Sequence, residues 1–285
     1  MFERGCIAKF ILGKRQRLSF LRAIATWALA IGILSLGSAN AQSTAQSTAA
    51  PLRIAAAADL QPVLPPILDQ FQRATGIHAE ATYQASAALT AQIQNGAPFD
   101  LFLSADLNYP KRLIDAGLAT GIAASPTIPL TYARGTLVLW TRADSKWPKP
   151  SLAILSDPNL QRLAIANPER APYGHAAMAA LASLKITDNL KSKLVTAENI
   201  SQAAQFAETG NADAGLISLT SAKTAHLQSI GSYFIIPSNL YPPIEQGAVI
   251  VASSKQSQNA HKFLDFLLSA PIQQQLATSG LTPVK

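Results

Sequence analysis

At five places in this 285-residue chain an apolar strand pattern runs into small or hydroxyl-bearing residues and then into a helix start. They are Ala57-Ala58-Asp59-Leu60, Ala85-Ser86-Ala87, Pro172-Tyr173-Gly174, Glu198-Asn199-Ile200-Ser201 and Leu216-Ile217-Ser218. The first turn of a helix has free N–H groups and a partial positive charge, so each junction suits an anion. None of the five carries Lys or Arg. Donors of this kind hold an ionised anion through dipoles and charge-assisted hydrogen bonds, each worth ~1.5–3 kcal/mol. Ser86 adds a hydroxyl, though a serine at this position also serves as a plain N-cap.

Covalent or metal chemistry finds little support in the residues. The chain has no HExxH, no P-loop, no GxSxG elbow and no Cys–His pair. Its four histidines, His78, His175, His226 and His261, share no metal-ligand spacing. An exported hydrolase using Ser86 as nucleophile would need a base, and His175 is the one histidine beside a junction. Trp140 and Trp147 read as strand and loop packing. The residues therefore point to a binding protein without catalytic residues or cofactor.

The elements that would position these junctions follow a βα rhythm. Residues 52–58 read as a strand, and Val63, Leu64, Ile67, Leu68 and Phe71 mark one helix face ended by Gly76. Pro62, Pro65 and Pro66 require that helix to begin late, near Leu64, or to kink. Strands over 78–83 and 100–104 flank the helix that Ser86 opens, and Asp106 starts another over 106–116. After Pro126 and Pro129 comes an apolar strand over 135–141, and then the rhythm restarts: strands at 162–166, 194–197, 214–218 and 234–236, with helices over 175–184 and 200–208. A buried strand at 247–252 and two helices over 258–269 and 271–278 are left over. Two α/β series with a strand and helices remaining imply that the chain crosses between two lobes twice, near 133–136 and 238–244. The fold expected is α/β, a two-lobed binding protein of the periplasmic type with mostly parallel sheets flanked by helices. Residues 51–134 and 244–285 would form lobe 1 and residues 135–243 lobe 2, with the ligand between them. In open α/β sheets ligands bind outside the carboxyl ends of strands, where the five junctions fall.

The first residues stand apart. Lys14, Arg15, Arg17 and Arg22 precede an apolar run over 23–36, and Ala39-Asn40-Ala41 has the small-x-small form of a signal peptidase site. Residues 1–41 read as a signal peptide cleaved near Ala41, and QSTAQSTAA over 42–50 as a flexible tether. The apolar run falls short of the ~20 residues of a spanning helix. The leader holds six of the 23 Lys and Arg and one of the 16 Asp and Glu, so removing it lowers the formal charge from +7 to +2. The basic balance thus gives no reason to expect nucleic acid. Cys6, the one cysteine, leaves with the leader, so a mature chain is held by core burial alone.

The string ALTAQIQNGAPFDLFLSAD at 88–106, with NPERAPYGHAAMAAL, ENISQAAQFAETGNADAGLISLTSA and YPPIEQGAVIVASS further on, resembles the molybdate-binding periplasmic protein family of ABC transporters, ModA type. The resemblance covers essentially all of 52–285. It implies capture of molybdate, or of tungstate, by a periplasmic monomer that hands it to an ABC permease in the inner membrane; sulfate is the alternative oxyanion. It also implies that Ser86 donates through Oγ and N–H, and that Tyr173 and Ile200 donate through backbone N–H. Two positions depart from the family. Asp59 stands where Ser or Asn is usual, and is expected to cap the helix over 63–71 and leave its N–H to the ligand. Ser218 stands near a tyrosine of some members and is the weakest candidate.

Overall fold

The computed structural model describes residues 50–284 apart from residue 123; the leader and most of the tether lie outside the described residues. The chain enters through β1 (Leu52–Ala57), whose small, apolar residues are almost all buried. A 3-10 turn over Ala58–Leu60 follows, and α1 (Leu64–Thr75) begins only after Pro62, with two prolines in its first turn, where the missing N–H costs nothing. It buries Leu64, Ile67, Leu68 and Phe71, and Gly76 ends it in the left-handed conformation at φ 73°. Then come β2 (Ala79–Gln84), α2 (Ser86–Gln94), β3 (Leu101–Ser104), α3 (Asn108–Asp115), β4 (Ala119–Thr120) and β5 (Leu130–Gly135).

The second series is β6 (Leu137–Arg142), β7 (Leu163–Ala166), α4 (Pro172–Ser183), α5 (Thr187–Leu190), β8 (Leu194–Ala197), α6 (Ile200–Glu208), β9 (Ala214–Ser218), α7 (Leu219–Ala222), α8 (Ala225–Ile230) and β10 (Gly231–Ile235). The chain ends with β11 (Ile244–Val251), α9 (Ser257–Leu267) and α10 (Ala270–Thr278).

Two sheets result. The first runs β2-β1-β3-β11-β4, with β5 also on β11; the second runs β10-β6-β9-β7-β8. Where the βα rhythm predicts mostly parallel sheets, both are mixed. The pairs β1–β2, β1–β3, β7–β8 and β7–β9 are parallel, while every pair made by β11 and β6 is antiparallel. The reason is that β6 and β11 adjoin the segments joining the two sheets and run opposite to the strands of the βα units. The strand read over 135–141 is β6, in the second sheet; before it, where the sequence reads as a loop after Pro126 and Pro129, β5 lies in the first sheet, and the chain passes between the two at Thr136. Gly135 pairs with Ile244, and the Tyr241 hydroxyl accepts the Leu137 N–H at 3.1 Å, so both connections run side by side.

The C-terminal helices pack with the first sheet. Phe263, Leu264 and Leu267 share a core with Ile54, Phe71, Leu101 and Ile250, and Phe71 meets Phe263 edge to face at 5.1 Å. A second core gathers Leu139, Trp140, Ile165, Ala177, Leu181 and Leu216 around the second sheet.

Candidate functional site

The carboxyl ends of β1, β2 and β3 meet the first turns of α4 and α6 around a small cavity. Its wall is Ala57, Ala58, Asp59, Gln84, Ala85, Ser86, Ala105, Ala171, Pro172, Tyr173, Asn199 and Ile200. It encloses ≈ 10 Å³, room for about one water, so an anion of four oxygens occupies it only with the walls further apart than they stand here. The wall contains no Lys, Arg or His.

Ser86 is the first residue of α2, after an extended Ala85, and is 1% exposed. It makes no capping bond. Its Oγ instead accepts the Ala105 N–H at 3.1 Å, which anchors the hydroxyl to the loop after β3 and leaves its own proton without a protein acceptor among the described residues. The N–H of Ser86 has no acceptor one turn back, because no helix precedes it.

Tyr173 follows Pro172 at the start of α4, and Ile200 opens α6. The cap of α6 is Asn199, whose side chain accepts the Gln202 N–H at 3.0 Å, so the Ile200 N–H is left over. Neither N–H is taken up by a loop or cap backbone bond. The Tyr173 hydroxyl lies against the crossing strands, where a Cβ on Gly135 would collide with it. Gly174 serves the same packing, since a Cβ there would meet the Ala166 carbonyl at 2.2 Å and push α4 off the end of β7.

Asp59 is completely buried, and it does not cap α1 as the sequence suggested. It lies inside the 3-10 turn, and α1 starts five residues later behind an N-cap at Val63 that receives no side-chain bond. The carboxylate points inward. Its Oδ2 accepts the Tyr173 hydroxyl at 3.2 Å and the Gln246 carboxamide, while Oδ1 is buried without a partner, as is Gln246 Oε1. Burial raises its pKa to about 6, against the lowering effect of those two hydrogen bonds.

The turn that carries Asp59 is also gripped from the second sheet's side. Ser201 Oγ donates to the Ala58 carbonyl at 2.8 Å and Thr220 Oγ1 to the Asp59 carbonyl at 2.7 Å. At the other edge the Ala87 N–H donates to the Arg170 carbonyl at 3.2 Å. These bonds run directly from one sheet's elements to the other's.

The structure thus brings Ser86, Asp59, Tyr173 and Ile200 to one cavity and leaves Ser218 outside it. Ser218 caps α7, accepting the Ser221 N–H at 3.2 Å, and its Oγ lies 2.9 Å from both Ser221 Oγ and Thr220 Oγ1. Its hydroxyl is fully engaged there and does not reach the cavity wall. Sequence reasoning placed Ser201 in a junction without giving it a role, and missed Thr220 and Gln246. Thr220 lies two residues past a junction residue, a usable signal; Gln246 lies in a strand 187 residues from its partner, and nothing local marks it.

A family model described as bacterial extracellular solute-binding protein matches residues 52–282. The chain belongs to that family. It is 37% identical over 235 residues to the molybdate-binding protein ModA of Azotobacter vinelandii, covering 82% of this chain and 90% of the relative. The molybdate-binding protein ModA of Rhodobacter capsulatus is also 37% identical, over 69% of this chain and 74% of its own length. The solved Azotobacter vinelandii periplasmic molybdate-binding protein superposes with a TM-score of 0.76 at 31% identity, covering 82% of this chain and all of that one. The sulfate-binding protein SubI of Mycobacterium tuberculosis, 18% identical, shares the fold with a TM-score of 0.67, covering 82% of this chain and 87% of its own. Solute-binding proteins of this family are extracellular.

Proposed function

We propose that this chain captures molybdate in the periplasm for an ABC importer, without catalysing a reaction, and that it accepts tungstate as well. The observation that carries the reading is a cavity walled by one hydroxyl and several helix-start N–H groups, with no cationic side chain, closed between two α/β sheets. Such a wall holds a permanently ionised oxyanion by hydrogen bonds alone, and a cation is not needed to balance it. Ser86 donates through Oγ and N–H, and Tyr173 and Ile200 through N–H. The similarity to two molybdate-binding proteins over most of the chain supports the choice of anion.

In this reading residues 51–134 with 244–285 form one lobe and residues 135–243 the other. They swing about the paired connections at Gly135 and Ile244, and the ligand enters while they are apart. The leader over 1–41 exports the chain, which works as a monomer delivering its anion to a permease. Calorimetry of the purified protein with molybdate, tungstate, sulfate and phosphate in turn tests this. Molybdate and tungstate are expected to bind at least a hundredfold tighter than the other two, a gap of about 2.7 kcal/mol. Tighter binding of sulfate or phosphate would overturn the reading.

A further inference from the structure

The carboxyl of Asp59 lies in a group of buried polar atoms that is one donor short. The Gln246 carboxamide of β11 and the Tyr173 hydroxyl of α4 both reach Oδ2, yet Asp59 Oδ1 and Gln246 Oε1 have no partner. An ionised carboxylate only accepts, whereas a carboxylic acid carries one O–H donor. Gln246 Oε1 is an unpartnered acceptor on the same carboxamide that already donates to Oδ2, so a proton on Oδ1 supplies the donor this pair of side chains lacks, with the amide left as it stands. Among the described residues no cation offsets the carboxylate's charge. The titratable groups facing it are two buried phenols, Tyr173 of α4 and Tyr132 of β5, and the charge of Asp59 opposes the ionisation of both. The elements packed on the turn bring only neutral groups: Thr220 of α7, Ser201 of α6 and Gln84 at the end of β2.

We propose that Asp59 takes up a proton as the cleft closes over its anion, so that the loaded protein holds one proton that the open protein lacks. This rests on the oxyanion reading above. In an open cleft the carboxyl is in water and titrates near its ordinary value. In the closed form burial alone brings it to about 6, and a bound anion's negative charge acts in the same direction.

The sign follows from linkage. Below the open-state pKa both forms carry the proton and affinity is at its maximum. Between the two values capture takes up about one proton, and affinity falls roughly tenfold for each pH unit of rise. Above the loaded-state value affinity is again flat, at its weakest. The serine or asparagine usual at this position in ModA-type proteins would show none of this dependence, so the substitution makes capture by this chain favour acidic surroundings.

The test is calorimetry of the protein with molybdate from pH 5 to pH 8, in pairs of buffers with different ionisation enthalpies. The wild type is expected to take up about one proton per molybdate near pH 5 and to lose affinity at up to roughly tenfold per pH unit from there to the loaded-state value. Asp59→Asn is expected to lose that uptake and to bind more tightly than wild type at pH 8. The wild-type proton count stands without the variant, should Asp59→Asn fail to fold. Binding with no buffer-dependent heat overturns this inference alone, as does equal proton uptake by both proteins, which assigns the proton to the anion. Failure of every oxyanion to bind at any pH overturns the functional reading and this inference with it.

Discussion

Ser86 and Asp59 occupy matching places, each just beyond the carboxyl end of a first-sheet strand, β2 and β1, and each buried in the same cavity wall. They are nevertheless prepared in opposite ways. Ser86 has its acceptor side satisfied by the Ala105 N–H and its proton free, which is the arrangement an anion needs. Asp59 has donors from Tyr173 and Gln246 and offers none. Position at a helix start therefore does not decide whether a residue serves a ligand. The hydrogen bonds that the rest of the fold makes to its side chain decide it.

Three substitutions test that contrast beyond the pH experiment above, in descending order of expected effect. Ser86→Ala removes the free proton and should weaken molybdate binding by about 1.5–3 kcal/mol, roughly ten- to a hundredfold by calorimetry. It also strands the Ala105 N–H, so Tm should fall too. Unchanged affinity would remove Ser86 from the site.

Thr220→Val keeps the shape but deletes the bond to the buried Asp59 carbonyl. Leaving a buried acceptor unpaired costs about 1–3 kcal/mol. Because that bond joins elements of the two sheets and touches no ligand, the loss should appear as an equal weakening of molybdate and tungstate, with their ratio unchanged. A change in the ratio would show that Thr220 reaches the anion itself.

Ser218→Ala removes the α7 cap together with the hydroxyl contacts to Ser221 and Thr220, so Tm should drop by the equivalent of about 1 kcal/mol or more while affinity stays within about twofold, a shift below 0.5 kcal/mol. A larger loss of affinity would return Ser218 to the site.

The same contrast marks how far the residues could be read in order. Helix faces with strong 3.6-residue spacing, such as Leu64, Ile67, Leu68 and Phe71, and the late start of α1 behind Pro62 are local matters and were legible. So was the gathering of Ser86, Tyr173 and Ile200, through the repeated strand-to-helix junctions and the resemblance. Strand β5 was not, because Leu130–Gly135 is half-exposed and mixes polar with apolar residues, so no apolar run marks it. That Ser218 caps α7 and lies off the cavity wall was not legible either, because capping and ligand binding ask for the same residue type at the same place.

Residue types and their neighbours within a few positions settle what kinds of donors exist and that no cation accompanies them in the junctions. The α/β rhythm likewise follows from the spacing of apolar residues. Which junctions share a cavity, and what Asp59 does, depend on long-range packing. That residue's partners come from α4 and β11, 114 and 187 residues away, and its protonation depends on burial and on the lack of a facing cation. Both are properties of the surroundings that the assembled sheets create, and no local stretch of chain contains them.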